Sequence, residues 1–591
     1  MKIQSLYKKM NSVFHFTVYS LLPLAGGGWV GVSCSEFLEI EPLETIVLDK
    51  FWNEEADVEN VVAECYSSMQ SQAVIERMMA WGEFRSDNVV GGTNAENNKD
   101  LSNIFKENIN ASNSFAKWGD FYSVINNCNT IIYYAPQVRQ KDPNYTERDL
   151  NVTIAEASAI RDLMYFYLIR SFEKVPYTTT PFLDDNQKMD LAPLPFDAVL
   201  DSLITDLEKV QDKAVKTYSS TKPYYQHGRI TQDAIHAMLA DMYLWKQDYR
   251  NAVRYADMVI KSKTDDYQSV LDKMAGMVST TDQMIDGFPL ISDGNVTGRS
   301  YGTAATDIFG QGNSRESIFE LIYMNNDQML ANGAVSTYYG NATTYPGLVK
   351  PAEFLVTDVN DEQYSVFLNK YDARFYENMQ PVNGSRSNAG IAKYCCQSAQ
   401  IGFNKVGDNV TVNPVYGSPY AESTCHANWI LYRLTDVMLM KAEALVEMVT
   451  ESADGTLSEQ NDTLLGEAFK IVNAIQKRSS AADEKDLKRA DYNSKALMQQ
   501  LVLDERQREL MFEGKRWYDL VRRARRDGST ATLIGAVSKK GSSGGTAISS
   551  KLSRMEALYW PYHNDEMKVN GNLVQNPAFG SGEESSYEKT N

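Results

Sequence analysis

Residue types able to do chemistry are plentiful in this chain of 591 residues, yet few stand in a catalytic pattern. Beyond residue 34 the histidines are His227, His236, His426 and His563, with no H-E-x-x-H zinc helix and no G-x-x-x-x-G-K-[ST] phosphate loop. Gly541-Ser542-Ser543-Gly544-Gly545 fits G-x-S-x-G by letter. It follows Lys539-Lys540 in a Gly/Ser-rich stretch, without the strand–turn–helix setting that exposes a nucleophile, so a flexible loop is expected. Glycoside hydrolysis needs two carboxylates about 5–10 Å apart, and nothing singles out a pair among 77 Asp and Glu residues. Asp358-Val-Asn360-Asp361-Glu362 lacks the glycine and the bidentate glutamate of a calcium loop and reads as a solvated turn. Cys65, Cys128, Cys395, Cys396 and Cys425 show no C-x-x-C spacing, hence no zinc or redox motif. Cys65 and Cys128 read as small buried apolar residues, while pairing among the other three stays open. The chain is not read as an enzyme, and no cofactor or metal is expected.

Recognition chemistry is better represented. Tyr (34), Phe (22) and Trp (8) make up 11% of the chain, and a ring supplies a flat apolar face, with a polar rim in Tyr and Trp. Two stretches of little periodicity, Gly82–Asn113 and Thr303–Pro351, hold or adjoin Trp81, Arg85, Asp87, Asn94, Tyr338, Tyr339, Asn341 and Tyr345. Rings suit the CH-rich faces of sugars, while carboxamide, carboxylate and guanidinium groups suit their hydroxyls. These eight are the candidate ligand-binding residues. Each has an alternative role in the core, and Arg85 and Asp87 have a further one in pinning their loop. The net charge of −19 excludes nucleic acid and an anionic membrane surface, which want a basic footprint.

Rigid elements must carry such loops, and the periodicity is mainly helical. Helices are predicted within Phe51–Ser71 and Phe115–Pro136, and over Ile154–Phe172, Thr231–Lys246, Tyr249–Ile260, Tyr432–Val449 and Leu464–Arg478. Ala234, Met238, Ala240, Tyr243 and Leu244, a turn at Gln247-Asp248, then Tyr249 form a tetratricopeptide type of helical hairpin. Ser317–Tyr323 reads as a strand. The expected fold is mainly α, with tetratricopeptide-like hairpins at about 51–262 and 432–526, loop-rich insertions at about 82–113 and 265–428, and a closing segment at 527–591.

The N-terminus reads as an export signal. Lys2, Lys8 and Lys9 precede an apolar run from Val13 to Val32, and Gly31-Val32-Ser33 leads to Cys34. Residues 1–33 are the expected leader, Cys34 the lipidation site and 34–50 a tether; a signal peptide cut near Ser33 without lipid is the alternative. The acidic segment Ser35–Glu41 resembles the surface-export signal of Bacteroidetes lipoproteins.

The densest motif is Asp504-Glu-Arg-Gln-Arg-Glu-Leu-Met-Phe-Glu-Gly-Lys-Arg-Trp-Tyr-Asp-Leu-Val-Arg522. Leu503, Leu510, Gly514, Trp517 and Val521 fall on one stripe of a helix expected over Lys495–Arg525. Asp504–Arg508, Arg506–Glu509 and Glu513–Arg516 are spaced to pair along it, and Arg522, Arg523, Arg525 and Arg526 suit its C-terminus. This run closely resembles the C-terminal signature of the SusD/RagB family of nutrient-binding outer-membrane lipoproteins. Other landmarks agree in order: Phe37-Leu38 to Phe51-Trp52, Arg85-Ser86-Asp87, Trp118…Tyr122…Asn129, Ala157…Arg161…Tyr165, Arg315-Glu-Ser-Ile-Phe-Glu320, Asp372-Ala-Arg374-Phe375, Arg433-Leu-Thr-Asp436…Ala442-Glu-Ala444, Leu558-Tyr-Trp-Pro561…Glu566 and Gln575-Asn-Pro-Ala-Phe579. Asn473-Ala-Ile-Gln476-Lys-Arg478 departs from N-x-x-R-x-R at Gln476, which puts a local pairing in doubt. The resemblance implies a non-catalytic lipoprotein, anchored in the outer membrane and exposed on the surface. It would hold oligosaccharide, or in the RagB type peptide, for a TonB-dependent (SusC-like) transporter. A purely transporter-facing helical scaffold is the remaining alternative.

Overall fold

Several helices in this chain begin where a polar side chain caps them. In the computed structural model Glu55–Met69 (α1) starts from a capping box of Glu54 and Asp57, and Gln72–Met79 (α2) from Ser71. Gly119–Lys141 (α3) leads to Glu147–Phe172 (α4), which starts from a Thr146–Asp149 box. Phe196–Val210 (α5), which the sequence reading did not anticipate, is followed by Gln232–Trp245 (α6), capped by Thr231, and by Tyr249–Lys273 (α7). Leu434–Glu447 (α8), Glu459–Ser479 (α9) and Lys495–Leu510 (α10) complete the frame, with Arg516–Asp527 (α11) after them. The structure describes residues 51–273, 284–293, 300–324, 331–341, 347–356, 365–382, 385–406, 409–420, 424–452, 457–481, 487–540 and 545–580. The leader, Cys34, the tether up to residue 50, Tyr345, the Asp358–Glu362 turn and Gly541–Gly544 lie outside them.

The helices pack as successive pairs: α3 on α4, α6 on α7, and α8 on α9, with α7 also against α8 and α10 against α8 and α9. The α6–α7 hairpin turns at Gln247, whose φ is 62°. Ala234, Ala237 and Ala240 of α6 and Ala252 and Ala256 of α7 are buried, and Tyr243 and Tyr255 stack with centroids 5.7 Å apart. Small residues thus admit close helix approach while rings fill the gap, as the hairpin reading predicts. The α8–α9–α10 core is aliphatic, with Leu439, Ala442, Leu445, Ile471, Ile475, Met498 and Val502 all buried.

Strands are short: Val89–Gly91 (β1), Ser317–Leu321 (β2), Val349–Pro351 (β3), Ala399–Val406 (β4), Asn409–Tyr416 (β5) and Trp429–Arg433 (β6). β2 pairs antiparallel with β6, which leads directly into α8. The β4–β5 hairpin occupies part of a stretch read as irregular, because its alternation is interrupted by Gly402 and Pro414.

The signature run differs from expectation in two ways. It is broken between α10 and α11, where Phe512 (φ 68°) and Gly514 (φ 71°) take left-handed backbone. Gly514 fits an apolar stripe by type, which is why the break was invisible. Its charges, moreover, are not paired along a solvated face. They are buried and reach across the fold. Glu509 contacts Arg374 (3.0 Å), Arg433 (2.7 Å) and Arg478 (2.7 Å). Glu513 contacts Arg433 (2.7 Å) and Lys393 (2.9 Å), Arg506 contacts Asp436 (3.0 Å) and Asp519 (2.9 Å), and Arg516 contacts Asp87 (2.8 Å). Landmarks hundreds of residues apart therefore meet in one ionic core. Gln476 fits it: its side-chain oxygen accepts from Arg374 at 2.7 Å. Of the terminal arginines, Arg522 and Arg526 bind Glu443 and Glu447 of α8, at 2.6 Å each.

This core sets a pH dependence. Burial opposes ionisation of Asp436, but Lys515 and Arg506 outweigh it and hold the carboxyl at about 2; Arg522 does the same for Glu443, also at about 2. Groups depressed in the folded state stabilise it above the ordinary carboxylate range and lose that contribution as pH falls toward 2. Glu83 and Glu320 go the other way, raised by burial to about 7, so their contribution declines as pH rises from the ordinary carboxylate range to 7. Stability should therefore fall steeply below pH 4, where Asp436 and Glu443 take up protons. Between pH 5 and 7 His227 and His236, lowered by burial to about 3 and about 4, oppose Glu83 and Glu320, so little change is expected there. Equal melting temperatures at pH 3 and pH 5 in thermal unfolding scans would contradict the charge placement.

Candidate functional site

The two candidate loop regions come together. β1 pairs antiparallel with β3 through Val89↔Pro351, Val90↔Lys350 and Gly91↔Val349, and the Gly92 amide extends the contact to the Leu348 carbonyl at 2.8 Å. Gly92 allows this approach, since a Cβ there would lie 2.3 Å from the Gly347 carbonyl oxygen. The 82–113 and 303–351 segments thus meet at one surface.

Beneath that surface, most of the nominated side chains are internal, and their assignment as ligand contacts is corrected. Trp81 is fully buried, donates its indole N–H to the Phe115 carbonyl (2.8 Å) and packs on Phe121 and Phe172. Arg85 is held by Glu107 (2.8 Å), donates to the Ala557 and Leu558 carbonyls and lies 4.1 Å over the Trp517 ring. Asp87 is buried against Arg516 and accepts from Gln507 at 3.0 Å. Tyr338 packs between Phe84 and Phe115, and Tyr339 donates its hydroxyl to the Phe512 carbonyl at 2.9 Å. The physical reason differs by type: the rings gain from burying their apolar faces, whereas Arg85 and Asp87 are tolerated inside because opposite charges and hydrogen bonds meet theirs. Arg85 and Asp87 tie the 82–113 loop to the closing segment and to α11.

Asn94 and Asn341 remain near the surface. Asn94 is exposed, in left-handed backbone (φ 64°), and its side chain makes no capping bond. Asn341 is half-buried, just after the Gly340 turn. Around Asn94 the turn presents Thr93, Glu96 and Asn97 to solvent. This is a small polar surface of hydroxyl, carboxamide and carboxylate groups on a loop whose root is fixed by buried ions, suited to bonding sugar hydroxyls. Two of the residues that hold the loop were missed: Glu107, and Lys540, which donates to the Arg85 carbonyl at 2.9 Å and is lowered to about 8 by burial. A lysine pair beside a Gly/Ser run carries no sequence signal for such a role.

Other expectations bear on chemistry. Among the described residues the cysteines are buried free thiols, and Cys65 and Cys128 lie with their sulfurs 3.7 Å apart. No group of three or more potential metal ligands occurs among the described residues, and no helix among them is long and apolar enough to cross a membrane.

Comparison with known proteins is consistent along the chain. A family model described as the SusD family matches residues 278–579. A second, described as starch-binding and associating with the outer membrane, matches residues 36–244. SusD-like protein P38 of Formosa agariphila is 24% identical over 509 residues, which is 83% of this chain and 88% of that protein. A SusD superfamily protein from Bacteroides thetaiotaomicron superposes with a TM-score of 0.61 at 18% identity, covering 89% of this chain and 100% of its own. A laminarin-binding SusD-like protein superposes with a TM-score of 0.54 at 18% identity, again covering 89% of this chain and all (100%) of its own.

Proposed function

The chain belongs to the SusD family, and from that premise we propose that it captures oligosaccharide or polysaccharide at the cell surface, without catalysis, for import through a TonB-dependent (SusC-like) outer-membrane transporter. The observation that carries the reading is the pinned loop pair. A ligand-binding loop must keep its geometry without a catalytic centre to organise it, and here the geometry comes from ion pairs buried below the polar turn at Asn94. The starch-binding description of the N-terminal family model and the laminarin-binding relative support a glycan as the cargo class. Anchoring is assigned to a lipid on Cys34, with residues 34–50 as tether. More than one acyl chain on one cysteine would hold the protein on the membrane.

Intact cells test the reading. Wild-type cells should retain a labelled polysaccharide and lose that capture after external protease. Cys34→Ala protein should leave the membrane fraction, and its cells should capture none. Capture that survives complete proteolysis of this protein, or Cys34→Ala protein that stays with the membrane, would overturn it.

A further inference from the structure

A second site is built from residues that the β1–β3 surface does not use. α3, the segment around Pro176–Leu191 and the short helix Asn564–Val569 enclose a cavity of about 470 Å³, within the range that small-molecule pockets occupy. Its wall is aromatic and aliphatic: Trp118, Tyr122, Ile125, Phe182 and Leu573. At its mouth Met189 and Val569 are 44% and 75% exposed. Single exposed apolar residues are ordinary, but these two both belong to the lining of one cavity and keep it apolar toward solvent.

The polar groups of this wall are already engaged by the protein. The Tyr122 hydroxyl donates to the Pro176 carbonyl at 2.7 Å. Asn126 donates to the Phe182 carbonyl at 3.0 Å and accepts from the Phe182 amide at 2.7 Å. Asn129 donates to the Thr178 carbonyl at 3.2 Å, and Asn570 to the Leu191 carbonyl at 2.8 Å. Those bonds hold the Pro176–Leu191 segment in place and leave apolar surface as what the cavity offers a guest. No lysine or arginine lines it, and Glu566 is the charged group on its wall. An anion would lose its hydration without compensation and meet that carboxylate.

We infer that this cavity is a binding site for a small uncharged molecule whose buried part is an aromatic or alicyclic ring. The site is separate from the glycan surface and does not depend on that reading. Its ring-lined wall supplies stacking and edge contacts, worth about 0.5–1.5 kcal/mol per aromatic pair beyond area burial.

The test uses Gly119, which lines the cavity at the start of α3 and whose added Cβ would meet nothing within 4 Å. Gly119→Trp therefore adds a bulky ring at the cavity wall at little cost to the fold. The full chain, titrated with the neutral fluorophore N-phenyl-1-naphthylamine, should bind one equivalent saturably. Gly119→Trp should weaken that binding at least tenfold with an unchanged Tm. The sulfonated anilinonaphthalene analogue should bind wild type at least tenfold more weakly than the neutral probe. If Gly119→Trp does not fold, the exposed-mouth variant Val569→Asp takes its place, with the same loss expected. Absence of saturable binding, equal binding by the filled or charged variant, or preference for the anion would overturn the inference.

Discussion

Replacing Glu509 by glutamine should remove a large part of the protein's stability. The carboxylate sits between Arg374, Arg433 and Arg478, all within 3.0 Å; burial alone would raise it, but those guanidiniums hold it well below the ordinary glutamate range. Glutamine keeps the shape but deletes the charge and turns two donors toward cations that can only donate. Uncompensated burial after breaking an ion pair costs about 3–5 kcal/mol, against a total of roughly 5–15 kcal/mol for a typical protein. The midpoint of urea unfolding should drop accordingly. Arg489→Ala, which removes the solvent-facing pair with Asp462, should change stability by less than about 1 kcal/mol. Equal midpoints for Glu509→Gln and wild type would mean that the ionic core does not hold α9, β6 and α10 together.

Gly82→Ala should be comparably damaging, although helix propensity alone favours alanine by about 0.5–1 kcal/mol. The Cβ would lie 1.8 Å from the Gly514 carbonyl oxygen. Both partners are backbone, so no side chain can rotate away. Separating them would also pull the Phe512 and Gly514 amides from the Glu83 carboxylate, which accepts both at 3.2 Å. A loss of roughly 3 kcal/mol or more in the urea midpoint is expected. An unchanged or raised midpoint would contradict the close approach. The sign alone separates the structural account from the propensity account.

These two residues show what the sequence disclosed and what it did not. The order of landmarks was readable because each marks a spot where charge or close approach permits few residue types, and the fold followed from their order. Their purpose was hidden: Arg374, Arg433, Arg478 and Glu509 lie in separate motifs, and only folding shows them to be one cluster. The helical hairpin at Gln247 was visible because alanine spacing and a turn signal agree. Site residues were harder. A tyrosine in a loop-rich stretch looks the same whether it faces sugar or core, and Tyr338 and Tyr339 proved to be core. Asn94 is exposed at its turn, where a short carboxamide tolerates left-handed backbone. The cavity beside α3 was not legible: Trp118, Tyr122 and Asn129 stood out as a landmark, but Phe182 and Leu573, which complete its wall, lie far along the chain from them.

The most direct test of surface glycan capture is affinity gel electrophoresis of the soluble protein, begun after Cys34, through gels containing single polysaccharides. The account predicts retardation by one polysaccharide class, with starch and laminarin among those tried, and recovery of that polysaccharide uncleaved. Unretarded migration through the whole panel, or shortening of the bound chain, would contradict it.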